Sequence, residues 1–176
     1  MTESKIIYSL RKENLNNYSK TYVPSRLLLG PGPSNAHPEV LKALSLNPIG
    51  HLDDAYLELM SDVQELLRYA WQCNNRVSLP MSGTGSAAME ASIANFIEEE
   101  ETILIAKKGY FGDRLVDMAS RYKANVVVME KEWGEAFSLD EIKFEIEKNK
   151  PSIFAIVHAE TSTGVLQPLD GIGEIC

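Results

Sequence analysis

Three short segments of this sequence gather residue types that could do chemistry. The first is SGTGS, Ser82–Ser86. Glycines there let the backbone approach a ligand closely, and the free N–H groups of a following helix, with its dipole, attract an anion. Hydroxyls on Thr84 and Ser86 could add hydrogen bonds to phosphate oxygens. The segment is neither G-x-x-x-x-G-K-[ST] nor G-x-G-x-x-G, so it matches neither nucleotide fingerprint. A tight strand-to-helix turn that needs glycine for space accounts for it equally well. The second is KKGYFGDR, Lys107–Arg114. At a strand's carboxyl end it would put an aromatic ring into the crevice where open α/β sheets bind ligands, able to stack on a flat heteroaromatic. Tyr110 and Phe111 plugging the edge of the core is the simpler alternative. The third is HAETSTGVLQPLDG, His158–Gly171. It holds His158, Glu160 and the hydroxyls of Thr161, Ser162 and Thr163 in one loop. A hydrolase would want a serine in a G-x-S-x-G elbow, and there is none. A lone histidine at a strand end reads as structural, and Asp170 as the N-cap of a new helix.

These segments need elements to hold them, and the hydrophobic pattern supplies candidates. Leu27–Asn35 is an apolar run broken by Gly and Pro and must be irregular. Pro38 opens a helix to about Leu44. Between Asp53 and Ala70 the residues Tyr56, Leu59, Met60, Val63, Leu66, Leu67 and Ala70 form an i, i+3, i+4, i+7 stripe, which predicts an amphipathic helix. A short strand beginning at Val77 precedes the Gly-rich turn, and a small-residue helix follows it. Thr102–Ala106, Asn125–Met129 and Ser152–Val157 read as strands. Arg114–Tyr122 reads as a helix, and Ser138 with Glu141 forms a capping box for another that runs to about Lys148. Apolar strands alternating with amphipathic helices predict an α/β fold with a mostly parallel sheet covered on both sides. Residues 1–25 are polar and unpatterned and read as an arm, with 26–176 as the domain proper. DGIGEIC stops just inside a helix starting near Asp170, so the C-terminus is expected to be a truncation.

Composition narrows the class. The 176 residues are 44% hydrophobic and 24% charged, with 17 basic against 25 acidic side chains and a net charge of −8. Such a surface repels nucleic acid and anionic membrane on average. Cys73 and Cys176 have no metal-ligand spacing, which argues against a zinc site or a disulfide framework. No apolar run reaches the roughly 18 residues that span a bilayer, and the first twenty residues resemble no targeting peptide. A cytoplasmic protein without metal is the expectation.

Three loops at the carboxyl ends of parallel strands would meet at one crevice, offering an anion cradle, a ring and hydroxyls. That set suits a phosphorylated aromatic cofactor better than any nucleophile. At the same residues the chain resembles a known family. LLLGPGPSNAHPEVLKAL, GHLDDAYLELM, SGTGSAAMEA, GYFGDR with LVDMA, and HAETSTGVLQPLDGIGEIC are similar to class V aminotransferases. They are most similar to the alanine–glyoxylate and serine–glyoxylate (serine–pyruvate) type. The resemblance runs from about Pro24 to Cys176.

It implies a pyridoxal-phosphate (PLP) transferase of fold type I, with this chain supplying the first half of the large, cofactor-binding domain. It implies that Thr84, Gly85 and Ser86 bind the cofactor phosphate, that Phe111 stacks on the ring where relatives often have Trp, and that Thr161 approaches the ring substituents. Gly32 would line the substrate end. The acidic partner of the pyridine nitrogen, the Schiff-base lysine and the substrate-binding arginine would lie beyond Cys176, so no catalytic residue is assigned, and Lys107 and Lys108 do not match the lysine motif. The implied activity of the complete enzyme is transamination of alanine or serine with glyoxylate or pyruvate, in a homodimer. A PLP lyase of the cysteine-desulfurase kind is the alternative, but it would carry histidine at Phe111. A hydrogenase-labelled redox subunit would need cysteine clusters.

Overall fold

The computed structural model describes residues 23–176, so nearly all of the expected arm lies outside the described residues. The chain divides into two compact units, Met1–Asn47 and Pro48–Cys176. In the first, the Leu27–Asn35 stretch is irregular, as its Gly and Pro content requires. Asn35 braces it, accepting from the Leu28 N–H at 2.8 Å and donating to the Arg26 carbonyl at 2.9 Å. Helix α1 (Pro38–Leu44) begins on its proline, with His37 Nδ1 accepting from the Glu39 N–H.

The second unit opens with α2 (Asp54–Trp71), capped by the Asp53 carboxylate on the Ala55 N–H at 2.9 Å and closed by Gln72 in the left-handed region. Its apolar stripe is only half covered. Tyr56, Met60, Val63 and Leu67 are half-buried, while Leu59 and Leu66 stay exposed. The strand expected from Val77 does not form. Val77 and Leu79 are exposed, and a strand without a neighbour to satisfy its N–H and C=O groups has nothing to stabilise it. The chain runs on to α3 (Gly85–Phe96), β1 (Thr102–Lys107), α4 (Tyr110–Arg121), β2 (Asn125–Glu130), α5 (Leu139–Asn149) and β3 (Ile153–Ile156). A hairpin of β4 (Ala159–Glu160) and β5 (Val165–Leu166) follows, then α6 (Ile172–Ile175).

The sheet is parallel in the order β2-β1-β3, with Leu104 opposite both Val127 and Phe154. Because side chains alternate along a strand, β1 feeds two cores. Ile103 and Ile105 pack with Ile93, Ile97, Leu115 and Ala119 on the face covered by α3 and α4. Leu104 and Ala106 pack with Met129, Phe137 and Ile142 on the face covered by α5. All four of these β1 side chains are wholly buried, and each large one contributes about 1.5–3 kcal/mol by leaving water. β3 is only half-buried along its length, since its outer side pairs with no strand among the described residues.

Two boundaries differ from expectation. Helix α4 starts at Tyr110 rather than Arg114, so the aromatic pair sits in its first turn and not in a loop. Helix α6 is capped by Gly171, left-handed at φ 80°, rather than by Asp170.

Candidate functional site

The SGTGS turn delivers a helix N-terminus. Thr84 is the N-cap of α3, with extended backbone (φ −79°, ψ 169°) and no side-chain cap. Its carbonyl accepts from Ala87 and Ala88, while the amides of Gly85 and Ser86 precede the first residues that can find an intrahelical acceptor. A methyl group added at Gly85 would meet nothing within 4 Å. The position is open, as an approaching anion requires.

Phe111, half-buried, is the second residue of α4. Its ring meets Tyr110 edge to face, with centroids 5.5 Å apart. One turn on, Arg114 ties the two helix starts together. Its guanidinium donates to Ser86 Oγ and, at 2.9 Å, to Tyr110 Oη, and it lies 5.6 Å from the centre of the Phe111 ring. Arg114 was not singled out from the sequence. Its i+4 spacing from Tyr110 and i+3 spacing from Phe111 were the available signal.

Thr161 follows β4 and is exposed. With Phe111 it lines an open cleft of about 370 Å³, which Met89, Leu115 and Val157 also line. The second and third loops therefore share one cleft, and Arg114 links the first loop to the ring that borders it. The first loop reaches this edge without a strand before it. Gly32 belongs to the other compact unit, in an exposed irregular segment with open space around it, and the geometry above does not include it. His158 is exposed and makes no side-chain hydrogen bond among the described residues, so it does not serve as a structural histidine of the core.

Sequence reasoning named Glu160, the buried residue next to Thr161, only as a member of its loop and missed what it does. The Glu160 carboxylate is 1% exposed and accepts from the N–H groups of Phe111 at 3.4 Å and Gly112 at 3.2 Å. Ser162 Oγ donates to Glu160 Oε1 at 2.5 Å and accepts from the Tyr110 N–H at 3.0 Å. All three first-turn amides of α4 are thus satisfied from the hairpin. Gly109, the N-cap, has no side chain to do it, and any Cβ there would fall 2.5 Å from Glu160 Cγ.

Both neighbouring lysines have structural partners. Lys107 Nζ bridges Glu130 at 2.8 Å and Asp113 at 3.1 Å, and those hydrogen bonds raise its pKa. Lys108 is 1% exposed and donates to Gln167 Oε1 at 3.0 Å. Burial lowers its pKa against the opposing pull of the Glu160 charge. Gln167 in turn exchanges hydrogen bonds with the Phe137 backbone, at 3.0 and 2.9 Å.

Among the described residues no group of His, Cys, Asp and Glu has the geometry to hold a metal ion, and no helix is long and apolar enough to cross a membrane. The sequence model of the family described as aminotransferase class-V matches residues 28–176. The chain belongs to the class V aminotransferases. Such enzymes are PLP-dependent, and the fold is theirs. This class V chain is 43% identical over 154 residues to the alanine–glyoxylate aminotransferase of Mus musculus, covering 88% of itself and 37% of that protein. It is 44% identical over 153 residues to the (S)-ureidoglycine–glyoxylate transaminase of Bacillus subtilis, covering 87% and 37%. Among solved structures, an alanine–glyoxylate aminotransferase from Nostoc sp. superposes with a TM-score of 0.86 at 56% identity, over 93% of this chain and 44% of that one. The chain therefore spans about two fifths of the length of these relatives.

The residues present fit the cofactor. An uncapped helix start with an open glycine suits a phosphate, and a cleft lined by a half-buried ring and a hydroxyl residue suits a flat heteroaromatic.

Proposed function

We propose that the protein carrying this chain transfers the amino group of a small amino acid, alanine or serine, to glyoxylate or pyruvate with PLP as cofactor. The observation that carries the reading is the cleft lined by both Phe111 and Thr161, joined through Arg114 to the start of α3. The Mus musculus and Bacillus subtilis relatives differ in the amino donor their names carry and share glyoxylate, which favours glyoxylate as the acceptor.

In this reading Thr84, Gly85 and Ser86 hold the phosphate through two free amides and their hydroxyls, at the positive end of the α3 dipole. Phe111 would stack on the ring and keep water from it, and the Thr161 hydroxyl would hold the ring by a hydrogen bond. When bound, PLP offers a carbonyl carbon to the amino group and delocalises the charge left on the α-carbon. The complete enzyme is a homodimer in this reading, with its lysine and carboxylate-binding arginine outside these 176 residues.

The test is direct. The full gene product, loaded with PLP, is given alanine, serine or ureidoglycine with glyoxylate or pyruvate, and amino acid products are measured. Glycine formed from glyoxylate with alanine or serine is the expected result. Failure of every donor to aminate either acceptor would overturn the reading.

A further inference from the structure

Helix α4 carries the ring proposed to stack on the cofactor, yet it has no cap of its own. Its N-cap is Gly109, and the three amides of its first turn point into the β4–β5 hairpin, where Glu160 and Ser162 receive them. A carboxylate at a helix N-terminus is favoured by the dipole as well as by the hydrogen bonds. Here it is also shut away from water, where such bonds are stronger. Glu160 is at the same time the chain neighbour of Thr161. One buried carboxylate therefore fixes the start of the helix that bears Phe111 and the backbone that bears Thr161, the two groups lining the cleft.

The geometry points to Glu160 as a positioning residue for cofactor binding, setting the distance between the Phe111 ring and the Thr161 hydroxyl by capping α4 from the hairpin. This rests on the proposed PLP site. Glu160 touches no part of the cofactor space itself and acts through its two neighbours. Two observations support it independently of the capping bonds. The crowding at Gly109, where a Cβ would fall 2.5–2.7 Å from Glu160 Cγ, Glu160 Cδ and Ser162 Oγ, means that the close approach is built into the sequence at both ends. Lys108, buried beside it and bonded to Gln167, anchors the far end of the hairpin. The Gln167 N–H in turn donates to the His158 carbonyl at 2.7 Å.

The test uses the full gene product and PLP itself as the probe. Glu160→Gln keeps the shape but turns one acceptor into a donor facing an N–H. Ser162→Ala removes only the hydroxyl that accepts from Tyr110. Ser138→Ala, which breaks the capping box of α5 on the opposite face of the sheet, serves as a control for plain loss of helix stability. For each, the PLP dissociation constant, the visible circular dichroism induced in bound PLP, and the thermal midpoint are measured. Glu160→Gln is expected to weaken PLP about tenfold and to reduce the induced dichroism. Ser162→Ala should move both the same way by less, and Ser138→Ala should lower the thermal midpoint alone. If Glu160→Gln behaves like Ser138→Ala, losing thermal stability with affinity and dichroism unchanged, the inference is wrong. If Glu160→Gln does not fold, Ser162→Ala decides, and wild-type values for it overturn the inference. Wild-type protein that binds no PLP would overturn the proposed site and this inference together, a result distinct from a variant that binds normally.

Discussion

Arg114 makes four contacts with one flat group. It donates to Ser86 Oγ, donates to Tyr110 Oη at 2.9 Å, and lies against both rings of the aromatic pair. Lysine cannot replace it, because an ammonium is a point charge on a flexible stem that satisfies one of these partners at a time and does not stack. Arg114→Lys is expected to cost about 1 kcal/mol in urea unfolding and to weaken PLP binding by loosening Ser86, with fluorescence titration of the cofactor as the measurement. Reading single residues from sequence picked out a glycine-flanked phenylalanine and a hydroxyl in a loop by type alone, and the structure places both on one cleft. It missed what Arg114 and Glu160 do, because their importance lies in what they reach. Ser86 is 28 residues from Arg114, and Gly112 is 48 from Glu160.

Among the elements, α5 and α4 form a contrasting pair. The cap of α5 is local: Ser138 accepts from the Glu141 N–H, and Glu141 accepts from the Ser138 N–H at 2.7 Å. Such a box can be read from four letters. Glu141 also receives Lys131 Nζ at 2.7 Å. Lys131 first, then the Ser138 N–H and hydroxyl, hold its carboxyl at about 2 instead of 4.5. A carboxylate with a depressed pKa stabilises the fold above its unfolded value and loses that contribution as pH falls through the folded one. Stability should therefore decline between pH 4.5 and about 2, by about 1 kcal/mol at most for so exposed a pair. Glu141→Gln should flatten that part of the urea-midpoint profile, and an unchanged slope would count against the assignment. The cap of α4, by contrast, comes from Glu160 and Ser162, so the sequence pattern began that helix four residues late. The missing strand after Val77 has the same origin. Apolar alternation announces a willingness to pair, and pairing needs a neighbour.

On the scale of the molecule, the α/β class and the three parallel strands were legible, because β1 is apolar on both faces and amphipathic segments flank it. Strand order was not legible, since nothing local states that β1 lies between β2 and β3. A good deal of apolar surface stays uncovered in the second unit. Leu57, Leu59, Leu66, Tyr69, Trp71 and Phe96 are each more than half exposed, and one edge of β3 is unpaired among the described residues. Patches of this kind bind partners or promote association. The 176-residue polypeptide made alone should bind an apolar dye such as ANS strongly, elute as oligomers and hold PLP weakly. The full gene product should bind little dye, elute as a single dimer and hold PLP firmly, and a monomeric, dye-silent fragment would contradict the reading.

The hairpin that receives the amides of α4 lies some fifty residues downstream of them. During synthesis, the Tyr110 N–H must wait until Ser162 has left the ribosome, several seconds at ordinary elongation rates of about 5–20 residues per second. Over that interval the ring-bearing turn can fray while the rest of its helix already rests on β1. The half of the pocket described here thus closes late on the nascent chain, as its final stitch and not its seed.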